Sequence, residues 1–186
     1  PGLAGDPEAQ LLAGVPETGG FQSPVAPTLD RLRGLLALSR AVMMAGALES
    51  ALDLSVAYAL ERKQFGREIA KFQAVQQQLA VLTGEVAAAL RAADAGLEAL
   101  DSSREATAWA VAKARAGEAA GKGAEIAHQV HGAMGFTHEH QLHHRTRRLW
   151  TWRDQYGHEA YWQARLGRAL CAAGAGALWP ELTATA

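Results

Sequence analysis

A run of apolar residues with helical spacing dominates the middle of the chain and limits what it can fold into. Val75, Leu79, Leu82 and Val86 begin a series that continues, in steps of four or three, to Leu100. Such steps place the side chains on one face of an α-helix, whereas a half-buried strand requires alternation with a period of two. A helix with one apolar face has to pack against further elements, so the rest of the chain must supply them.

Other segments carry helical patterns as well, and short glycine-containing or polar stretches separate them. Thr28 is placed to cap the first helix, and Ser102 with Glu105 has the pattern of a capping box before the third. Gly66 is expected to end the first helix. The sequence predicts helices over about 28–63, 69–100, 105–130, 139–150 and 155–173.

Composition supports helices packed closely on one another. Almost half of the 186 residues are hydrophobic but only 6% are aromatic, and small alanine side chains let helix backbones approach closely. We therefore predict an all-α fold, an up-and-down four-helix bundle with an additional short helix. Proline and glycine concentrate in residues 1–27, which we interpret as an irregular arm or linker left from a preceding domain. The bundle domain is expected over 28–176 and a tail over 177–186.

Net charge and cysteine content indicate which classes of partner and which cellular compartment to expect. The net charge of −1 gives no reason to expect nucleic acid, and the short basic run around Arg147 is interpreted as a helix crossing, a subunit contact or a contact with ligand phosphates. A single cysteine, Cys171, excludes an intrachain disulfide and fits a reducing compartment. No uninterrupted apolar run approaches a spanning length of about 18 residues. We expect no membrane span and a cytoplasmic protein.

Two glycine-containing stretches interrupt the helical patterns. The first is Tyr-Ala-Leu-Glu-Arg-Lys-Gln-Phe-Gly at residues 58–66, and Gln73 follows it. The second is Gln-Val-His-Gly-Ala-Met-Gly-Phe at residues 129–136. Read by themselves, Arg62 and Lys63 are cations that complement the negative end of a helix dipole, and the glycines are helix ends.

Taken together, the two stretches resemble the signature of the acyl-CoA dehydrogenase family. The first matches the family's Tyr-Ala-Leu-Glu-Arg-Lys-x-Phe-Gly, and the second is similar to its Gln-x-x-Gly-Gly-x-Gly-Phe, with Ala133 replacing one glycine. They occur in family order and at a family-like separation, and the resemblance extends from about residue 28 to 173. It implies the C-terminal helical domain of an FAD-dependent acyl-CoA dehydrogenase.

The resemblance implies cofactor contacts for six positions. In the family, the arginine and phenylalanine of the first stretch approach the pyrophosphate and ring system of an FAD bound mainly by a neighbouring subunit. The glutamine behind them lies near the adenine, and the second stretch passes the adenosine and pyrophosphate. The matching residues here are Arg62, Phe65, Gln73, Gln129, Gly132 and Gly135. A shared site also implies a homo-oligomer, or a hetero-oligomer with a larger acyl-CoA dehydrogenase chain.

The implied activity is α,β-dehydrogenation of an acyl-CoA thioester, with hydride transfer to the flavin and onward passage of electrons to an electron-transfer flavoprotein. A carboxylate removes the α-proton, and many members carry it in a tyrosine-glutamate-glycine stretch after the second motif. Counting along the chain gives Asp154 as the candidate catalytic base, with Gln155 replacing the glycine and Glu159 as a fallback. Other members place the base early in the first helix, at a position that falls near Leu36 in this chain. From the residues alone, Asp154 is equally well an N-cap.

Two further interpretations stay open. Complete family members have an amino-terminal helical domain and a middle β-domain, for which 186 residues leave no room. The chain therefore also fits a non-catalytic helical subunit or fragment that only completes an oligomer or a partner's flavin site. His140 and His144 stand four apart, but a pair of histidines on a helix face does not make a metal centre, and no metal is predicted. Specificity for acyl-chain length or steroid-like bulk depends on pocket walls that are largely absent from this sequence.

Overall fold

Six α-helices, three short 3-10 segments and one hairpin make up residues 28–183, the part of the chain that the computed structural model describes. The arm predicted over residues 1–27 lies outside the described residues. The helices are α1 (Leu29–Glu61), α2 (Gln73–Glu98), α3 (Glu105–His131), α4 (Leu142–Asp154), α5 (Glu159–Ala173) and α6 (Leu178–Thr183). The hairpin consists of β1 (Lys63–Gln64) and β2 (Arg67–Glu68), and the 3-10 segments are Ile69–Lys71, Gly132–Phe136 and Ala175–Ala177.

The three long helices run up, down and up. α1 and α3 are parallel, because Leu48 lies against Gly123 and Ala59 packs with Val130. α2 runs in the opposite direction, since Gly96 near its end packs at the beginning of α1. This arrangement leaves the fourth position of the bundle to the chain that follows α3.

Two helices in line fill that fourth position. Arg145 of α4 donates to Ser50 Oγ at 3.0 Å, Gln155 meets α1 further down, and Arg165 of α5 pairs with Asp30 at 2.6 Å. Contacts with α1 thus descend steadily from its middle to its first turn. The predicted up-and-down four-helix bundle with an additional short helix is confirmed, and α4 is that short helix.

Small side chains at the centre of the bundle let its helices approach closely. A Cβ added at Gly123 would stand 2.5 Å from Leu48 Cδ2, and one at Gly96 would stand 2.5 Å from Leu38 Cδ1. Interaxial distance follows the size of the side chains at the contact. The alanine-rich composition is therefore a packing requirement. The buried alanines of this core include Ala41, Ala45, Ala89, Ala112, Ala116, Ala120 and Ala124.

The capping box predicted before α3 is wrong. α3 begins at Glu105 itself, so Ser102 is not the N-cap and Glu105 is not the third helical residue that a capping box requires. Ser102 Oγ instead accepts from the Arg104 N–H at 3.2 Å. The Glu105 carboxylate accepts from the Asp101 N–H at 3.2 Å and pairs with Arg31 of α1 at 2.7 Å. A cation from another helix thus determines where this carboxylate lies.

Other helix boundaries also differ from the sequence pattern. Thr28 caps α1 as predicted, with its Oγ1 accepting from the Arg31 N–H at 3.2 Å. α4 continues to Asp154 and α5 begins only at Glu159, because residues 155–158 leave the helical conformation. Within the predicted tail, Leu178–Thr183 form α6.

By length and composition alone, α1 could cross a bilayer, although no uninterrupted apolar run of that length occurs in it. The core helix of a soluble protein satisfies the same criterion, and α1 packs on α2, α3 and α4. The absence of a membrane span therefore stays a prediction.

Candidate functional site

The first glycine-containing stretch forms a tight hairpin where α1 ends. Lys63 pairs with Glu68 and Gln64 with Arg67 in an antiparallel ladder. The two residues between the strands, Phe65 and Gly66, have φ angles of 50° and 79°. Two consecutive positive φ angles are typical of a type I′ turn, in which asparagine and glycine are the usual residues.

Phe65 is the least expected residue at the tip of this hairpin. Positive φ is unfavourable for a bulky side chain, and Phe65 is also 92% exposed. Its only ring contact among the described residues is the edge of Phe72, with the ring centroids 6.1 Å apart. Backbone strain combined with an exposed aromatic ring indicates a surface that contacts something else.

Three cations flank the Phe65 ring along the hairpin. Arg62, Lys63 and Arg67 are all exposed, and within residues 28–183 no carboxylate lies at ion-pair distance from any of them. The Arg67 guanidinium lies 4.3 Å from the centroid of the Phe72 ring. The Arg62 carbonyl accepts from the Ile69 N–H at 2.8 Å, which fixes the backbone from which its side chain extends. The hairpin therefore carries exposed positive charge that is not neutralised by an ion pair within the described part of the chain.

The second stretch lies at the same end of the bundle. The Tyr58 ring stacks on His131 with the centroids 4.6 Å apart, and Ala59, Ile69 and Val130 are buried together beneath the hairpin. Parallel α1 and α3 bring the two motifs to one face, as the resemblance implies.

The two glycines of the second stretch have different roles. Gly132 is exposed and ends α3 at φ 58° and ψ −141°, a region open essentially to glycine alone. Gly135 is buried, and a Cβ there would stand 3.0 Å from His131 Cβ and 3.1 Å from His128 Nδ1. Gly132 therefore leaves the surface open to a ligand, while Gly135 is required by packing inside the domain.

The two candidate glutamines lie beside these elements. Gln73 is the first residue of α2 and Gln129 lies in the last turn of α3. Both side chains are exposed. The structure thus brings all six predicted cofactor residues to one end of the bundle, with only Gly135 turned inward.

Sequence reasoning missed two buried histidines that support the second stretch. His128 Nε2 lies 2.8 Å from Thr146 Oγ1, and its ring stacks on Phe136 at a centroid distance of 4.2 Å. His131 Nδ1 lies 2.8 Å from the Ala127 carbonyl oxygen. Burial lowers the pKa of both imidazoles below the ordinary value, which keeps them neutral. His131 follows Ala127 by four positions on the buried side of α3, and this spacing was the available signal.

The predicted catalytic residue lies far from this face. Asp154 is exposed and is the last residue of α4, and its neighbour Gln155 accepts from Arg40 Nε at 2.6 Å. Arg40 precedes Arg62 by 22 positions, which at roughly 1.5 Å per residue is a separation of roughly 33 Å along α1. Arg62 and Asp154 of one chain therefore lie at different ends of the bundle and do not form one compact site.

Asp154 does not cap α5. His158 occupies the N-cap position of that helix, without a side-chain hydrogen bond. The break between α4 and α5 instead places Tyr156 at φ 60° and Gly157 at φ 104°, while Gln155 has an ordinary φ of −62°. Gly157 is thus the position in the break that favours glycine. If the glycine of the family's tyrosine-glutamate-glycine stretch is matched there, Tyr156 takes the place of the glutamate.

The fallback carboxylate, Glu159, is held in an ion pair. Arg153 donates to both of its carboxylate oxygens across the break. The Arg153 hydrogen bond lowers the pKa of Glu159 from 4.5 to about 2. A general base works best with a pKa near the working pH, so Glu159 is suited to holding the break together.

We expect Glu159→Gln to lower the free energy of unfolding at pH 7 by roughly 1–2 kcal/mol, a value reduced for the partly exposed Arg153. Because the folded-state pKa is depressed, this stability is present above pH 4.5 and is lost as the pH falls toward about 2. Urea unfolding of both proteins at pH 7 and pH 3 measures it, with Glu125→Gln on the exposed side of α3 as the control. A difference that grows toward acid pH would contradict the assignment.

The histidines after the second stretch do not converge on a metal centre. Across residues 28–183, no group of three or more histidine, cysteine, aspartate or glutamate side chains is placed to hold a metal ion. His140 lies against His131, with ring centroids 4.7 Å apart, whereas His144 packs on His143 at 3.9 Å.

Fold and motifs define a four-helix-bundle domain that presents a cationic, aromatic hairpin and an adjacent glycine turn at one end. Residues 29–157 match the family model for the acyl-CoA dehydrogenase C-terminal domain. The chain therefore belongs to the acyl-CoA dehydrogenase family, and the predicted C-terminal-domain identity is confirmed.

Individual relatives agree with this assignment. A probable acyl-CoA dehydrogenase of Bacillus subtilis, YngJ, is 39% identical over 135 residues, which are 72% of this chain and 34% of YngJ. The structure of a glutaryl-coenzyme A dehydrogenase with glutaryl-CoA superimposes with a TM-score of 0.68 and 31% identity, covering 73% of this chain and 36% of that one. The ChsE4–ChsE5 complex of Mycobacterium tuberculosis gives a TM-score of 0.66 and 30% identity over 76% and 39%. The chain thus spans little more than a third of these proteins.

Proposed function

We propose that this chain acts as the C-terminal domain of an FAD-dependent acyl-CoA dehydrogenase, which catalyses α,β-dehydrogenation of an acyl-CoA thioester. The observation that carries the proposal is the hairpin tip, where the strained and exposed Phe65 stands beside cations that have no ion-pair partner within residues 28–183. A solvent-facing aromatic ring at positive φ has a physical reason when a ligand covers it.

The residues of this face fit FAD. The Arg62 guanidinium forms a planar fork that can bind a pyrophosphate at two points. The Phe65 ring offers a flat apolar surface to an aromatic ring system. The Gln73 and Gln129 amides can donate and accept hydrogen bonds, and Gly132 leaves its surroundings open, with no atom within 4 Å of an added Cβ. When bound, FAD supplies the acceptor for the hydride.

The cofactor site is shared between subunits in this proposal. The separation of roughly 33 Å between Arg62 and the Asp154 region means that each face serves a different flavin. The chain would pair with a second copy or with a larger acyl-CoA dehydrogenase chain. The ChsE4–ChsE5 complex is a related assembly of two different chains. Electron transfer to an electron-transfer flavoprotein and a cytoplasmic location belong to the same proposal and rest on the family resemblance.

A groove between α1 and α4 offers a surface for the acyl group. It has a volume of about 340 Å³ and both apolar and cationic walls, which consist of Met43, Gly46, Ala47 and Ser50 on α1 and Arg145, Arg148 and Trp152 on α4. Trp152 precedes Asp154 by two residues, so a thioester bound along this groove would approach the α4–α5 break. Asp154 would there accept the α-proton as general base.

One observation favours a second candidate function. Matching the family glycine to Gly157 places Tyr156 where the base is expected, and a tyrosine lacks the carboxylate that would take the α-proton. In this alternative the chain is a non-catalytic helical subunit whose Arg62 face completes the flavin site of a partner.

The proposal is tested first by the visible absorption spectrum of the purified protein, with its mass in solution taken from the same sample. A flavin spectrum on an oligomer that is bleached by an acyl-CoA is expected. A colourless protein that acquires flavin only with a larger dehydrogenase chain would support the second candidate. A colourless protein that gains no flavin with any partner chain would contradict both.

We expect Arg62→Ala to weaken FAD retention in the assembled oligomer by roughly 10- to 150-fold, the equivalent of about 1.5–3 kcal/mol for one hydrogen bond to a charged group. Arg62→Lys keeps the positive charge but loses the planar guanidinium fork, so its affinity for FAD should lie between those of the wild type and Arg62→Ala. Fluorescence titration with FAD measures the change. Arg91→Ala, on the exposed face of α2, is the control, and equal flavin occupancy in all four proteins would count against the site.

A further inference from the structure

A buried lysine reaches the break between α4 and α5. Lys113 of α3 has no solvent exposure. Its ammonium donates to the Arg153 carbonyl at 2.6 Å and to the Gly157 carbonyl at 2.7 Å. The Arg153 carbonyl belongs to the last turn of α4, where carbonyls lack partners within the helix. One cation therefore ties together the two ends of the break.

The backbone between these two carbonyls is held in an unfavourable conformation. Tyr156 and Gly157 have consecutive positive φ angles of 60° and 104°. For a tyrosine this conformation is uncommon and persists only where its surroundings enforce it. The Gly157 carbonyl also accepts from Trp162 Nε1 at 3.1 Å, so both sides of the turn are fixed.

Two glycines on α3 leave space for the side chains that bridge the break. A Cβ at Gly117 would stand 3.1 Å from a Glu159 carboxylate oxygen, and a Cβ at Gly121 would stand 3.0 Å from an Arg153 guanidinium nitrogen. Positions 113, 117 and 121 are four apart and so share one face of the helix. This face of α3 accommodates the ion pair that bridges the break and supplies the cation that holds its carbonyls.

α1 holds the break from the other side. Arg40 Nε donates to Gln155 Oε1 at 2.6 Å, and the Arg40 guanidinium lies 5.6 Å from the centroid of the Tyr156 ring. The break is thus fixed by two helices of the bundle.

Burying the Lys113 ammonium to hydrogen-bond two carbonyls carries a desolvation penalty. Burial lowers the pKa of Lys113 from 10.5 to about 8, although the charges of Glu159 and Asp154 oppose the shift. Ions removed from water generally destabilise a fold compared with apolar side chains of similar volume. Stability alone therefore does not explain a lysine here, whereas fixing the conformation of the break does.

We propose that Lys113 is a positioning residue, which holds residues 154–157 in one conformation and so fixes the directions of the Asp154 and Tyr156 side chains toward the acyl-CoA substrate. The role in catalysis rests on the proposed function. The hold on the break does not, since the contacts that carry it lie within this chain.

The test compares Lys113→Met with Lys122→Met in the assembled protein. Lys122 lies on the same helix, is exposed and pairs with Glu85, so its loss leaves the break untouched. Hydrogen–deuterium exchange of segment 152–158 is expected to accelerate about tenfold in Lys113→Met, while segment 122–130 keeps its protection. Unchanged exchange in segment 152–158 would overturn the inference, and so would equal acceleration in both segments, which marks a general loss of stability.

Measuring activity distinguishes a positioning role of Lys113 from a purely structural role. With hexanoyl-CoA as the probe, we expect Lys113→Met to slow flavin reduction at saturation about tenfold with little change in KM. Lys113→Arg, which retains donors, should recover part of that rate. If Lys113→Met does not fold, the same exchange experiment on Lys113→Gln decides. Wild-type protein that never reduces flavin would remove the proposed function and leave the exchange result standing.

Discussion

Trp109→Ala is expected to lower the free energy of unfolding by about 3–5 kcal/mol, the usual range for truncating a fully buried aromatic residue. The Trp109 side chain is 1% exposed, and its indole N–H donates to the Gly96 carbonyl at 3.0 Å. A Cβ at Gly34 would stand 2.6 Å from its ring. Truncation would leave a cavity between α1, α2 and α3 and a carbonyl without its donor. Urea unfolding followed by circular dichroism measures the loss.

The control for this substitution is Trp179→Ala. Trp179 is 72% exposed on α6, so its replacement should change stability by less than about 0.5 kcal/mol. Similar losses in the two variants would mean that Trp109 does not occupy the centre of the bundle. Combining the two should give additive effects, since the residues share no contact.

Asp154→Asn is expected to slow flavin reduction by an acyl-CoA by roughly 10²–10⁴-fold, the usual contribution of a positioned general base. The amide is similar in shape to the carboxylate but does not accept a proton at neutral pH. Flavin binding should be unaffected, because the Arg62 face lies at the far end of α1. Stopped-flow bleaching of the flavin at saturating acyl-CoA measures the rate, and the absorption spectrum measures occupancy.

Two further variants serve as controls for Asp154→Asn. Tyr156→Phe removes only a hydroxyl and should leave the rate within a few-fold of wild type, and Asp94→Asn on the exposed side of α2 should have no effect. A normal rate in Asp154→Asn would exclude Asp154 as the base. Together with flavin bound at a shared site, that outcome would favour the non-catalytic subunit that completes a partner's site.

Much of this fold depends on interactions between residues close in sequence and can therefore be predicted from the sequence. The four-and-three spacing from Val75 to Leu100 follows from the geometry of a helix, so it predicts α2 without knowledge of its neighbours. Thr28 caps α1 through a hydrogen bond to a residue three positions away, which is equally local. The stretches at 58–66 and 129–136 identify the family because their residues are contiguous.

Features that depend on residues distant in sequence were not predicted. The capping box before α3 failed because the helix begins at Glu105 itself, whose carboxylate binds Arg31, 74 positions away. The break after Asp154 was placed wrongly because its conformation depends on Lys113 and on the glycines of α3.

The features of the candidate site also separate into those that the sequence predicts and those that depend on tertiary packing. Sequence alone determined that the chain forms helices and which contiguous motifs it carries, since both depend on neighbours within a few residues. Only the tertiary structure decided that the Phe65 hairpin and the Gly132 turn share one face, because that depends on α1 and α3 being parallel. The distance of Asp154 from Arg62 and the burial of Lys113 were likewise decided by packing, since contacts between distant segments set the free energy of those arrangements.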